Sequence, residues 1–260
     1  MHVLIITDLE GISCVDSIDM IPYENEGYQR ACAYLMADVN AAVDGAFAGG
    51  ATKVTVIDGH GGANNFMMEL LDKRAVCIPA SEFAGNSPQS YGYDALMCVG
   101  AHAMAGTEKA FLDHTQSSSD WFEYCIAGKP LGEMAQQAYF LGAFGVPLVM
   151  MSGDTAACAE AKALVPNVAT ACVKEAQCRN QANCLPQEEA LERIRLAARD
   201  GAQRYREIAP CVLQLPAEIK LTFCRNDYCD RVMRPGLERN GRTVRKMIDR
   251  IETYYDLVRF

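Results

Sequence analysis

The sequence predicts an α/β protein: a mostly parallel central sheet flanked by helices, with a smaller C-terminal α+β lobe. Three observations carry this. Short apolar, β-branched runs alternate with longer segments of helical period. The first two runs are joined by a helix, which implies a parallel pair with a right-handed crossover. The chain has 260 residues, 50% of them apolar when Cys and Tyr are counted, enough to bury a sizeable core.

Taken in order, His2 to Thr7 reads as a buried strand and Asp8 to Pro22 as a loop. A long helix follows from about Tyr23 to Phe47. Its apolar positions Tyr28, Ala31, Leu35, Val39, Val43 and Ala46 step by three or four. Gly49-Gly50 ends it. Lys53 to Ile57 is the second strand, and the Gly-rich loop Asp58-Gly59-His60-Gly61-Gly62 comes at once after it. Ala95 to Ala101 is another buried strand, ending at His102. Phe122 to Leu131 reads as a hairpin turning at Ala127-Gly128-Lys129-Pro130, with a helix from about Gly132. Pro147 to Met151 is a core strand, and Asp154 caps the helix Thr155 to Leu164. Gln187 to Ile208 is a helix charged on one face; Ala217 to Cys224 alternates as a half-exposed strand does. A last helix is expected from Val244 to Val258. The core is placed at residues 1–182 and the smaller lobe at 183–260. There is no internal repeat.

The formal net charge of −9 argues against nucleic acid, whose phosphates bind basic surfaces. The basic stretch Arg231, Arg234, Arg239, Arg242, Arg245, Lys246 and Arg250 has no interleaved aromatics, so it reads as a solvated face or a subunit contact. No apolar run approaches the ~20 residues that span a bilayer, and no membrane partner is expected. The N-terminus has no basic region and no small-residue cleavage site, so the expected location is cytoplasmic. The 12 cysteines are scattered, with no CxxC pair, and are expected as reduced thiols rather than a zinc site. The nearest neighbours among them are Cys178 with Cys184 and Cys224 with Cys229.

Three strands of parallel type end in residues able to hold a metal: Asp8-Leu9-Glu10-Gly11, Asp58-Gly59-His60 and Gly100-Ala101-His102. Ligand sites in open parallel sheets lie at the carboxyl ends of the strands. Of the 4 histidines, all but His2 fall in these loops or just beyond. Carboxylate and imidazole are usual ligands of zinc and similar ions. Two ions sharing a carboxylate can activate one water. Each residue also has a plainer role open to it: Asp8 as a loop cap, Glu10 as a solvated acid, His102 as a satisfied core histidine, Glu133 as an acid favoured by a helix N-terminus.

The motifs Asp8-Leu9-Glu10-Gly11-Ile12-Ser13, Asp58-Gly59-His60 with Asn64-Asn65, Gly100-Ala101-His102-Ala103, His114-Thr115 and Gly132-Glu133 with Ala138-Tyr139 carry a resemblance. Ser152-Gly153-Asp154, Val165-Pro166-Asn167-Val168 and Val173-Lys174 with Arg179 add to it. In these motifs the sequence resembles the D-aminopeptidase, DppA-like family of zinc peptidases, over about residues 1 to 190.

The resemblance implies an α/β core with a second lobe, and two zinc ions per chain. It makes Asp8 the bridge, Glu10 and His60 ligands of one ion, and His102 and Glu133 ligands of the other. It makes His114 a catalytic histidine that is not a ligand. It also implies a ring-shaped decamer and a short peptide substrate with an N-terminal D-amino acid. Lys174 and Arg179 are candidates for holding a substrate carboxylate or the loop around it. Met104 stands where a basic residue is expected, Asp113 where a serine is usual, and the His102–His114 spacing is one residue longer than expected. A carboxylate at position 113 would favour imidazolium at His114 if the two lie close. Two other readings are open: a two-metal hydrolase of another amide or a phosphate ester, and a metal-binding oligomer without catalysis.

Overall fold

The computed structural model describes residues 1–260. In chain order its elements begin with β1 (His2–Thr7), α1 (Tyr28–Ala48), β2 (Lys53–Asp58), β3 (Ala75–Cys77), α2 (Ala80–Gly85) and β4 (Ala95–Ala101). Then come β5 (Trp121–Ile126), β6 (Lys129–Pro130), α3 (Glu133–Gly142), β7 (Leu148–Asp154), α4 (Thr155–Leu164), β8 (Ala169–Cys178) and β9 (Gln181–Cys184). The chain ends with α5 (Gln187–Gln203), β10 (Ala217–Phe223), α6 (Asn226–Val232), β11 (Glu238–Asn240), β12 (Thr243–Ile248) and α7 (Tyr255–Val258).

The central sheet has the order β3-β2-β1-β4-β7-β8-β9, parallel except for β9. β1, β4 and β7 are buried at every position. Such strands lie in the middle of a covered parallel sheet, where apolar runs need no alternation. From β1 the chain steps to β2 on one side and later to β4 on the other. With right-handed crossovers, this puts α1 on one face and α3 and α4 on the opposite one. The reversal of strand order beside β1 opens a crevice at the carboxyl ends of β1 and β4, where such sheets bind ligands. Asp154 caps α4, its carboxylate accepting the Ala157 N–H at 2.8 Å.

A second sheet, β11-β12-β10-β5-β6, is antiparallel. It draws β5 and β6 from the middle of the chain. β9 closes the central sheet across residue 183, and α5 packs along α1. The antiparallel sheet thus joins strands from the middle of the chain to strands from its end.

Three expected helices differ, and the one expected from Gln187 to Ile208 ends at Gln203. The first begins at Tyr28 rather than Tyr23, after a turn whose Asn25 amide donates to the Asp19 carbonyl at 2.9 Å. The expected helix Val244 to Val258 is instead β12 and the single turn α7. Val244 and Ile248 are buried on one face, and a spacing of four suits a strand as well as a helix. Pairing with β10 in register from Ala217–Ile248 to Thr222–Thr243 settles it as a strand. Four of the seven residues of the basic stretch pair with carboxylates of the chain itself. Arg231 pairs with Asp227, Arg239 with Asp230, Arg245 with Glu238 and Arg250 with Glu252. No helix is long and apolar enough to cross a membrane, and all 12 cysteines are free.

Candidate metal centre

The loops after β1 and β4 are pressed together. The Asp8 N–H donates to the Val99 carbonyl at 2.9 Å, and Gly11 N–H to the Gly100 carbonyl at 2.7 Å. Only glycine permits this. A Cβ on Gly11 would lie 2.1 Å from the Ala101 oxygen, and one on Gly100 (φ +76°) 2.4 Å from the Asp8 oxygen. The close approach carries Asp8, Glu10 and His102 into one crevice. His60 arrives from the end of β2. Its loop is held by Asp58, whose carboxylate accepts the Asn65 N–H at 2.6 Å. Glu133 arrives on the first turn of α3.

The acidic and imidazole atoms form two groups, each lying within 4.8 Å: Asp8 with Glu10 and His60, and His102 with His114 and Glu133. Asp8 belongs to both sides. Its Oδ1 is 3.0 Å from His60 Nδ1 and its Oδ2 is 3.2 Å from His102 Nε2. His60 Nδ1 is also 3.0 Å from Glu10 Oε2, and His102 Nε2 is 3.5 Å from Glu133 Oε1. A cavity of about 10 Å³, bounded in part by Asp8, His102 and Glu133, has room for one water or ion.

The backbone sets two tautomers. His102 Nδ1 donates to the Ala103 carbonyl at 3.0 Å, and His114 Nδ1 to the Leu112 carbonyl at 2.8 Å. A carbonyl only accepts, so Nε2 is the free nitrogen of each ring. His102 Nε2 is buried without a hydrogen bond. An outward nitrogen on a ring fixed by its inner N–H is the arrangement of a metal-binding histidine.

The groups of the site shift one another's titration. Burial opposes charge on every group, but the partners prevail. For His60, Glu10 and Asp8 outweigh burial and raise the imidazole to about 11. For His102, burial is outweighed by Asp8 and Glu133, which raise it well above the ordinary range. Against burial, His60 and then His102 hold Glu10 well below the carboxylate range. Glu133 is also lowered, by His102 and His114.

Lys174 and Arg179 touch loops, not the crevice itself. Lys174 is buried, pushed down to about 8 by that burial, and its Nζ donates to the Glu10 carbonyl at 2.7 Å and the Val15 carbonyl at 2.6 Å. Arg179 Nε lies 3.2 Å from Asp113 Oδ1. Asp113 pairs with Arg179 and accepts the Gly106 N–H at 2.7 Å; it makes no ion pair with His114. Met104 lines an apolar groove beside α3 and α4, and its N–H donates to Glu160 at 2.8 Å.

Three residues around Glu133 carry no signal in the sequence. Gln116 donates its backbone N–H to Glu133 Oε1 at 2.7 Å. Its side-chain amide reaches Gln136 Oε1 at 2.8 Å and the Tyr254 hydroxyl at 3.2 Å. Tyr254 thereby ties the C-terminal turn to the crevice. Neutral amides and a distant tyrosine look like any surface polar group until the fold joins them.

A family model described as D-aminopeptidase, peptidase family M55, matches residues 1–260. A D-aminopeptidase of Bacillus subtilis (strain 168) is 32% identical over 190 residues, covering 71% of this chain and 68% of that one. The solved Zn-dependent D-aminopeptidase DppA from Bacillus subtilis, a self-compartmentalizing protease, matches with a TM-score of 0.92 at 25% identity. That match covers 99% of this chain and 95% of the other.

Proposed function

Since the chain belongs to the D-aminopeptidase family and is, with it, a metal-dependent hydrolase, we propose that it is a dinuclear-zinc aminopeptidase acting on short peptides or amides with an N-terminal D-amino acid. The observation that carries the two-ion reading is the position of Asp8, with one oxygen toward His60 and the other toward His102. Asp8 would bridge the two ions, Glu10 and His60 would hold one, and His102 and Glu133 would hold the other.

His114 stays outside the ligand set in this reading. Its ring is stacked on His102 with centroids 3.9 Å apart and planes 11° from parallel. An imidazole binds a metal in its own ring plane at ~2 Å. Two rings stacked nearly parallel do not direct their nitrogens at one ion.

Zinc bound here would supply an activated water and draw charge from the scissile carbonyl. The chain's own residues do the rest. Leu112 holds the His114 ring so that Nε2 is free. When protonated, that nitrogen can donate to the leaving amine or hydrogen-bond the oxyanion. His114 also borders an open groove of about 540 Å³ lined by Trp121, Phe122, Glu123 and Arg179, which offers room for a short peptide. The reading includes assembly into a ring of ten, supported by the self-compartmentalizing relative. It also includes a reducing, cytoplasmic location, in keeping with the 12 free thiols.

The test is hydrolysis of a D-amino-acid amide beside its L isomer and a phosphate monoester, using wild type and His114→Ala. The reading expects D-selective amide cleavage, and in the variant turnover lower by ~10²–10⁴-fold with unchanged metal content. Preference for the ester or the L isomer would refute it.

A further inference from the structure

Arg179 occupies the turn between β8 and β9, and three of its bonds bracket the segment that carries His114. Its Nε lies 3.2 Å from Asp113 Oδ1, its Nη2 donates to the Asp113 carbonyl at 3.1 Å, and its own carbonyl accepts the Leu112 N–H at 2.7 Å. Leu112 in turn accepts from His114 Nδ1 at 2.8 Å. The ring that borders the crevice therefore hangs from Leu112, which the Arg179 main chain holds, while the Arg179 side chain grips the neighbouring Asp113.

The clamp holds a segment that would not keep its shape unaided. Leu112 has φ +53°, Lys109 φ +55° and Gln116 φ +60°, all in the left-handed region that non-glycine residues rarely adopt. Such conformations persist only where their surroundings over-determine them. Asp113 contributes a second tie, accepting the Gly106 N–H at 2.7 Å, which closes the loop upon itself. An arginine suits this task better than a lysine, because one planar fork reaches a carboxylate and a carbonyl together.

We infer that Arg179, acting through Asp113 and Leu112, is a positioning residue that sets the His114 ring in the orientation needed for turnover. The inference rests on the role proposed above for His114. Arg179 is 45% exposed, and exposed pairs add little to stability. Its loss should therefore be felt in turnover more than in folding.

The experiment uses the metal-loaded full chain with a D-aminoacyl anilide, comparing wild type, Arg179→Ala, Arg179→Lys, His114→Ala and the double variant Arg179→Ala/His114→Ala. Arg179→Ala should keep its metal content and melt within about 4 °C of wild type. Its kcat should fall roughly 10- to 100-fold, within the range of a general acid's contribution, with KM much less changed. Arg179→Lys, a point charge without the fork, should recover only part of the loss. In the His114→Ala background, Arg179→Ala should cost nothing further. In the metal-free protein, ¹⁵N histidine spectra should show one His114 tautomer, protonated at Nδ1, in wild type and a mixture in Arg179→Ala.

If His114→Ala turns over like wild type, the reading of His114 fails and takes this inference with it. If His114→Ala is slow while Arg179→Ala matches wild type, the positioning role alone is overturned. The same holds if the two losses multiply, or if the tautomer is unchanged in Arg179→Ala.

Discussion

The Nε2 atom of His102 lies 3.2 Å from the Oδ2 atom of Asp8, buried, and makes no hydrogen bond. The other ring nitrogen is committed to the Ala103 carbonyl. In the neutral ring a lone pair would thus face a carboxylate, which is repulsive unless a proton or a metal cation lies between. The same carboxylate meets His60 through its other oxygen. One aspartate thus stands between two outward imidazoles.

The division of ligands predicts graded losses. His60→Ala should leave the chain with one tightly held ion, His102→Ala with the other, and Asp8→Ala with neither. Elemental analysis of each dialysed variant reads this directly. Turnover in each should fall by more than the ~10–100-fold that a partner behind the ligands contributes. Two ions retained by Asp8→Ala would refute the bridge.

Metal uptake should expel protons. His60 is raised to about 11 and His102 well above its ordinary range, so both imidazoles are charged at pH 7 before an ion arrives. A ligand nitrogen must give up that proton, so affinity rises with pH and about two protons leave per chain at neutrality. Calorimetric titration of zinc in two buffers of different ionisation enthalpy measures the number. Heats that are the same in both buffers would show no release and contradict the assignment.

Asp38 should make stability fall as pH rises. It is fully buried on α1, where its carboxylate accepts the N–H and the hydroxyl of Ser13 at 2.8 and 2.5 Å. Burial outweighs those bonds and pushes it up from 3.8 to about 6. The folded state then binds more protons than the unfolded chain between these values, so its contribution is complete below about pH 4 and is lost as pH passes 6. The loss amounts to about 3 kcal/mol, at ~1.4 kcal/mol for each pH unit. Asp38→Asn removes the titration. Its stability relative to wild type, from denaturant melts, should improve steadily from pH 4 to pH 7; a constant difference would contradict the assignment.

Lys174→Met should loosen the loop that carries Glu10. The substitution keeps the stem beside the Phe111 ring, which Nζ overlies at 4.7 Å, but leaves the Glu10 and Val15 carbonyls without their donor. Two lost bonds to a charged group imply a loss of about 3–6 kcal/mol. Hydrogen exchange at residues 10–15 should accelerate together with the fall in melting temperature. Unchanged exchange there would give Lys174 no part in holding the loop.

Much of the crevice is legible in the sequence because its residues break the local pattern. An aspartate, a glutamate and two histidines placed at the ends of apolar strands have no packing reason to be there, and the parallel order of those strands gathers them. Glu133 shows only through its Gly132-Glu133 motif, since any helix start favours an acid. What stays illegible is what depends on long-range pairing. Val244 and Ile248 satisfy helix and strand alike until β10 pairs with them. Tyr254 meets Gln116 across 138 residues of chain, and no local rule joins the two. The Asp113–Arg179 pair could be seen as two charges but not as partners, because the β8–β9 turn that presents Arg179 is not apparent from periodicity.

The most direct test is the number of zinc ions bound per chain in the wild-type protein, by elemental analysis after removal of loose metal, with hydrolysis of a D-aminoacyl peptide followed on the same samples. Two ions per chain are expected, with activity that is lost on chelation and returns in step with the second ion. One ion per chain with full activity, or activity that survives complete chelation, would contradict the two-ion reading.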